Sequence, residues 1–125
     1  MSQQSIAIVG LGRVGSAFLE GLLNHDADGA HVVAVAEQGD TPGTRLAKSR
    51  GIPVQDIDAL IAQGEKIDIL FDLTGNAKVR QELREKMMAS NNRHTLIATE
   101  SVAQLIWALI SSEVALPKVH DKAGY

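Results

Sequence analysis

Ten residues near the start constrain this chain more than any others. Ile6-Ala7-Ile8-Val9 is an unbroken apolar run, and Gly10-Leu11-Gly12-Arg13-Val14-Gly15 follows with no spacer. The glycines lead straight into a helical pattern through Asn24. Strand, tight turn and helix in that order form the Gly-x-Gly-x-x-Gly arrangement of a dinucleotide-phosphate turn. Gly10 permits the bend. Gly12 removes the Cβ that would hold a pyrophosphate away from the backbone, and Gly15 lets helix and strand approach. Leu11, Arg13 and Val14 complete the loop, and the helix N-terminus offers N–H groups and partial positive charge to an anion. Arg13 in the first helical turn opposes the helix dipole, a cost on the order of a few tenths of a kcal/mol. A phosphate would offset that cost; the alternative is an arginine that simply faces solvent.

The rest of the chain alternates in the same way. Apolar runs predict strands over 5–9, 31–36, 52–54, 67–73 and 94–98. Helical spacing predicts helices over 13–24, 44–50, a short stretch after Asp56, 77–89 and 101–110. Thr41-Pro42-Gly43 reads as a turn or a helix start. Asp56 and Asn76 are suited to N-caps. Strands that are continuously apolar, rather than alternating, suit a parallel sheet covered on both faces. The order predicts an α/β, Rossmann-like doubly wound parallel sheet of about five strands with right-handed crossovers. With 125 residues, of which 45% are hydrophobic, the expectation is a single domain over 1–125. Its core spans about 5–112, with a tail over 113–125.

Further positions fall on the carboxyl rim of such a sheet, where ligands sit in open α/β folds. Glu37 ends the second strand, 22 positions after Gly15. A carboxylate there accepts hydrogen bonds from adenosine ribose hydroxyls and repels a 2′-phosphate, and no arginine or lysine follows until Arg45. Both features favour NAD as cofactor over NADP. Thr74-Gly75-Asn76 follows the fourth strand; Gly75 would allow close approach, and Asn76 is either a contact or a helix cap. Thr99 and Glu100 follow the fifth strand, with helix capping the alternative role for both. Asp72, inside an apolar strand near the rim, is either a buried acid of interest to chemistry or a cap for the adjoining loop.

Several classes are disfavoured. There is no cysteine, which removes disulfides, a thiolate nucleophile and cysteine-ligated zinc. His25, His31, His94 and His120 show no metal-ligand spacing, and no catalytic set emerges. A net charge of −3 without a dense basic patch makes nucleic acid an unexpected partner. No apolar run reaches the roughly 20 residues that cross a bilayer, and no signal peptide is evident, so a cytoplasmic protein is expected.

The last predicted helix is apolar around most of its circumference. Ser101, Gln104, Ala108 and Ser111 form one narrow stripe; Val102, Leu105, Ile106, Trp107, Leu109 and Ile110 occupy the rest. A helix covering one face of a sheet needs one apolar side only. A homodimer or a partner domain packed around Trp107 is expected, or else the tail folded back over it.

Three stretches carry a family resemblance: Ile8-Val9-Gly10-Leu11-Gly12-Arg13-Val14-Gly15, Leu46-Ala47-Lys48-Ser49-Arg50-Gly51-Ile52-Pro53-Val54, and Ile67-Asp68-Ile69-Leu70-Phe71-Asp72-Leu73-Thr74-Gly75-Asn76. Over residues 5–112 the chain resembles the N-terminal NAD(P)-binding domains of the homoserine dehydrogenase, dihydrodipicolinate reductase, aspartate dehydrogenase and glucose–fructose oxidoreductase group. The resemblance implies a cofactor half; in that group a second domain supplies the catalytic residues. The resulting expectation is a stand-alone NAD(H)-binding module acting as a sensor or regulator. The alternatives are a minimal or truncated NAD-dependent oxidoreductase and a CoA-binding domain.

Overall fold

The computed structural model describes residues 3–25 and 29–109. Five parallel strands lie in the order β3-β2-β1-β4-β5. They are β1 (Gln4–Val9), β2 (Ala30–Ala36), β3 (Val54–Gln55), β4 (Ile69–Asp72) and β5 (Leu96–Ala98). Helices α1 (Arg13–Asn24), α2 (Pro42–Ser49), α3 (Ile57–Ala62) and α4 (Ala77–Ala89) connect them, with a 3-10 turn at Gly64–Lys66. Residues 100–109 are helical after β5 and are called α5 here. The direction of strand addition reverses between β1 and β4, which opens a crevice beyond their carboxyl ends.

Alternation along the strands, interrupted by a register shift in β2 between Val32 and Ala34, divides the core in two. Ile6, Ile8, Val32, Val35 and Phe71 face α1, α2 and α5, where Phe18, Leu19, Leu22, Ala47 and Ala103 are buried with them. The Phe18 and Phe71 rings meet edge to face at 4.8 Å between centroids. Ala7, Val9, Ala34, Ala36 and Leu70 face the opposite way, against Leu60 of α3 and Leu83 and Met87 of α4. On α4, Lys78, Arg84 and Glu85 are exposed, whereas Arg80, Glu82 and Lys86 are half-buried.

Where sequence and structure differ, backbone hydrogen bonding explains it. The 52–54 strand shifts to Val54–Gln55 because the Ile52 N–H returns to the Ala47 carbonyl at the end of α2. Pro53 has no N–H, but its carbonyl still accepts from Val35. Thr41-Pro42-Gly43 starts a helix: the Thr41 hydroxyl accepts from the Thr44 N–H, and the Thr44 hydroxyl accepts from the Thr41 N–H. β5 is shorter than 94–98 because the His94 and Thr95 N–H groups donate to the Asn92 side chain. His94 also bonds Asp68, whose other oxygen accepts the Ser5 N–H. The Ser5 backbone and His94 hold the Asp68 carboxyl below the usual carboxylate range.

The buried residues of α1 are Gly15, Phe18, Leu19, Gly21 and Leu22. Leu19 is buried, whereas Val14 is exposed and Ala17 only half-buried. Val14 belongs to the first turn and looks into the crevice. On α5 only Ala103 is buried and Ile106 half-buried, leaving Val102, Leu105 and Leu109 exposed. Ile110, Ser111, His120 and the 113–125 tail lie outside the described residues.

A candidate dinucleotide cleft at the strand ends

The glycine turn is held on two sides. Gly10 sits at φ +95°, open to glycine and strained for other residues. Its N–H donates to the Ala36 carbonyl at 2.8 Å, which ties the turn to β2. A Cβ on Gly10 would lie 2.9 Å from both Thr74 N and Thr74 Cγ2, so the turn is also pressed against the end of β4. Gly15 has less room still: a Cβ there would stand 1.8 Å from the Gly10 carbonyl oxygen. Gly12 is the opposite case, with nothing within 4 Å of an added Cβ.

Two residues outside the motif lock it further. The Ser16 hydroxyl donates to the Leu11 carbonyl and accepts the Gly43 N–H. Gly43 is required there because a Cβ would lie 2.5 Å from Ser16 Oγ. Spacing alone does not reveal this contact between α1 and α2, since it joins positions far apart in sequence.

Above the strand ends lies a cleft of about 960 Å³. Gly10, Gly12, Arg13 and Val14 form its floor, Glu37 and Gln38 one side, and Thr74, Gly75, Asn76 and Glu100 the other. Val54, Ile57, Leu73 and Val79 supply apolar surface. Leu11 and Gly15 are buried beneath the floor and act as framework. Thr99 does not line the cleft; its carbonyl accepts from Val102 and Ala103 at the start of α5, the capping alternative. Gln55, Asp56, Asp58, Glu82 and Lys86 also line the cleft, a contribution that sequence spacing does not single out.

The α1 N-terminus differs from those of its neighbours in a way that matters chemically. α2, α3 and α4 are capped by the side chains of Thr41, Asp56 and Asn76. No side chain caps α1, and its first turn contains no acid. N–H groups at a helix start need an acceptor, and this helix opens on the cleft with Arg13 beside it. Glu37 is fixed nearby: Oε1 accepts the Leu11 N–H at 2.7 Å and Oε2 accepts the Gly39 N–H at 3.0 Å. Each carboxylate oxygen keeps a lone pair for another donor.

The opposite rim is organised by charge. Asp72 is fully buried, and its Oδ1 accepts the Thr74 N–H and hydroxyl at 3.1 and 2.7 Å. Its Oδ2 accepts from Arg80 Nε at 3.0 Å. Arg80 Nη2 donates to Glu100 Oε1 at 2.8 Å, and Glu100 Oε2 accepts the Gly75 N–H at 2.9 Å. Asp72 therefore caps the loop and does not face the cleft. Asp72, first, and then Glu100 raise the pKa of the Arg80 guanidinium. Asn76 caps α4, its side chain accepting from the Lys78 and Val79 N–H groups, and it also lines the cleft. Among the described residues no cluster of His, Asp or Glu is arranged to hold a metal, and no helix is long and apolar enough to cross a membrane.

A parallel sheet with a glycine turn, an uncapped helix start and a cleft at the strand reversal defines a dinucleotide-binding α/β domain. The chain belongs to the family of homoserine dehydrogenase NAD-binding domains, which it matches over residues 10–108. Its ligand class is accordingly a nicotinamide dinucleotide. No curated protein sequence matches significantly. Among solved structures, homoserine dehydrogenase from Thiobacillus denitrificans is similar at 20% identity and TM-score 0.56, over 90% of this chain and 27% of that one. UDP-N-acetylglucosamine 3-dehydrogenase from Acidithiobacillus ferrooxidans is similar at 14% identity and TM-score 0.55, over 90% and 36%. RSP in complex with β-NAD+ and operator DNA is similar at 15% identity and TM-score 0.54, over 98% and 61%. The chain thus spans about a third of the length of these dehydrogenases. Identities this low speak for the shared fold.

Proposed function

We propose that this chain binds NAD(H) as a sensor or regulatory module, with Gly10, Gly12, Arg13 and Val14 receiving the pyrophosphate and Glu37 the adenosine ribose. The observation that carries this reading is the α1 N-terminus: uncapped, free of acids and facing open space at Gly12. A pyrophosphate supplies the acceptors those N–H groups lack. The fixed Glu37 carboxylate favours NAD, because a 2′-phosphate beside it would bring like charges together. Thr74, Gly75 and Asn76 border the other nucleoside.

Isothermal titration tests this directly. NAD and NADH are expected to bind, NADP more weakly, and Glu37→Ala to reduce NAD affinity about tenfold, the equivalent of one strong hydrogen-bonding partner. A CoA-binding domain does not need that acid, so CoA binding unaffected by Glu37→Ala, with no NAD binding at millimolar ligand, would replace this reading with the CoA one.

The similarity to homoserine dehydrogenase favours a second reading, the cofactor half of an NAD-dependent oxidoreductase. Hydride transfer would then draw its acid–base group from another domain or chain, since the cleft brings no such set together. The operator DNA belongs to the RSP complex. For this chain a net charge of −3 and an acid-rich cleft argue against direct nucleic-acid contact.

The exposed Val102 and Leu105 on α5 support pairing with a second copy. A sizing column should report a dimer for the native protein and a monomer for Leu105→Glu. A native monomer rules the pairing out.

A further inference from the structure

We propose that Glu100 makes the cleft discriminate between the two redox states of a nicotinamide dinucleotide, favouring the oxidised form. This rests on the dinucleotide reading above and extends it to the half of the ligand that changes on reduction.

Strand order determines which half of the ligand meets Glu100. A dinucleotide carries two nucleosides on opposite sides of its pyrophosphate. With the pyrophosphate at the α1 N-terminus and the adenosine ribose at Glu37 on the β2 side, the other nucleoside extends across β1 towards β4 and β5. The rim there is Thr74, Gly75, Asn76 and Glu100, of which only Glu100 is charged.

The charge is held in place and incompletely neutralised. Glu100 is pinned by the Gly75 N–H on one oxygen and by Arg80 on the other. Arg80 is shared with the buried Asp72. Two carboxylates on one guanidinium leave the group with a net negative charge. The rest of the cleft has the same sign, with Glu37, Asp56, Asp58, Glu82 and Glu100 set against Arg13 and Lys86. Lys86 is itself paired with both Asp58 and Glu82.

The oxidised nicotinamide ring carries a positive charge that the reduced ring lacks. The adenosine, both riboses and the pyrophosphate are the same in the two forms, so contacts to them cannot tell the forms apart. A fixed negative group on the nicotinamide side stabilises the oxidised ligand selectively.

The test is titration of the full chain with NAD+, NADH and ADP-ribose, using the native protein, Glu100→Gln and Glu100→Asp. For a partly solvated charge we expect the native protein to prefer NAD+ about fivefold, Glu100→Gln to narrow the ratio to within about twofold, and Glu100→Asp to keep the preference. ADP-ribose, which lacks the ring, should bind all three proteins alike. Raising the salt concentration should narrow the native ratio. A native preference for NADH, a ratio unchanged in Glu100→Gln, or equal weakening of ADP-ribose in that variant would each overturn the assignment. Failure of the native protein to bind any of the three ligands would overturn the dinucleotide reading itself, and so is distinguishable from failure of the Glu100 assignment alone.

Discussion

Gly15→Ala is expected to cost about 3 kcal/mol of folding stability or more, a large part of what a domain this size has. The added methyl would stand 1.8 Å from the Gly10 carbonyl oxygen and 2.8 Å from its carbon. Both are backbone atoms, so relief requires α1 to move off β1, which would open the core around Phe18 and Phe71. Urea denaturation measures the loss. An alanine variant with the native midpoint would mean that helix and strand are not in the contact described here. Gly12→Ala separates folding from binding. Nothing lies within 4 Å of its Cβ, so stability should change by no more than about 1 kcal/mol. Dinucleotide affinity should fall roughly tenfold or more, because the methyl would occupy the space in which the proposed binding mode puts the pyrophosphate. Two glycines of one motif are thus predicted to fail in different assays.

Asp72→Ala should destabilise the chain by about 3 kcal/mol, as expected when a buried ion pair loses one partner. Asp72 is fully buried and accepts from Thr74 N, Thr74 Oγ1 and Arg80 Nε. Alanine leaves the Thr74 N–H without that acceptor and Arg80 with Glu100 alone. Thermal denaturation should show a fall in Tm on the order of 10 °C. Combining Asp72→Ala with Arg80→Met should cost less than the sum of the single changes, because the two side chains act as a unit. Strict additivity would mean that the pair contributes independently. A native Tm for Asp72→Ala would remove Asp72 from the scaffold of the rim.

The sequence carried the architecture because its signals are local. Apolar runs marked the strands, and Asp56 and Asn76 marked helix starts that the structure caps as expected. Boundaries were less legible where a distant partner decides them. Ile52 turns back to Ala47, and His94 and Thr95 are held by Asn92, so strands expected to begin earlier begin late. The glycine turn and Glu37 were legible as a spaced set, but not the hydrogen bond that joins Leu11 to Glu37. The Arg80 link between Asp72 and Glu100 was hidden for the same reason. Arg80 lies on a helix rich in charge, and nothing in its spacing separates a rim-forming arginine from a solvated one. The exposed apolar side of α5 did follow from counting residues around a helical turn.

Thr74 against Gly10 also bears on the order of events as the chain emerges from synthesis. β1, α1, β2, α2 and β3 can assemble as a unit, because their pairings need nothing downstream. The phosphate turn is still open at that stage, since the wall that presses on Gly10 belongs to the segment after β4. β4 reaches its place beside β1 only after the chain has crossed back from β3 over β2 and β1, a long-range closure of the kind that slows folding. In the proposed binding mode, the turn that receives the dinucleotide is therefore complete only when the second half of the sheet has docked.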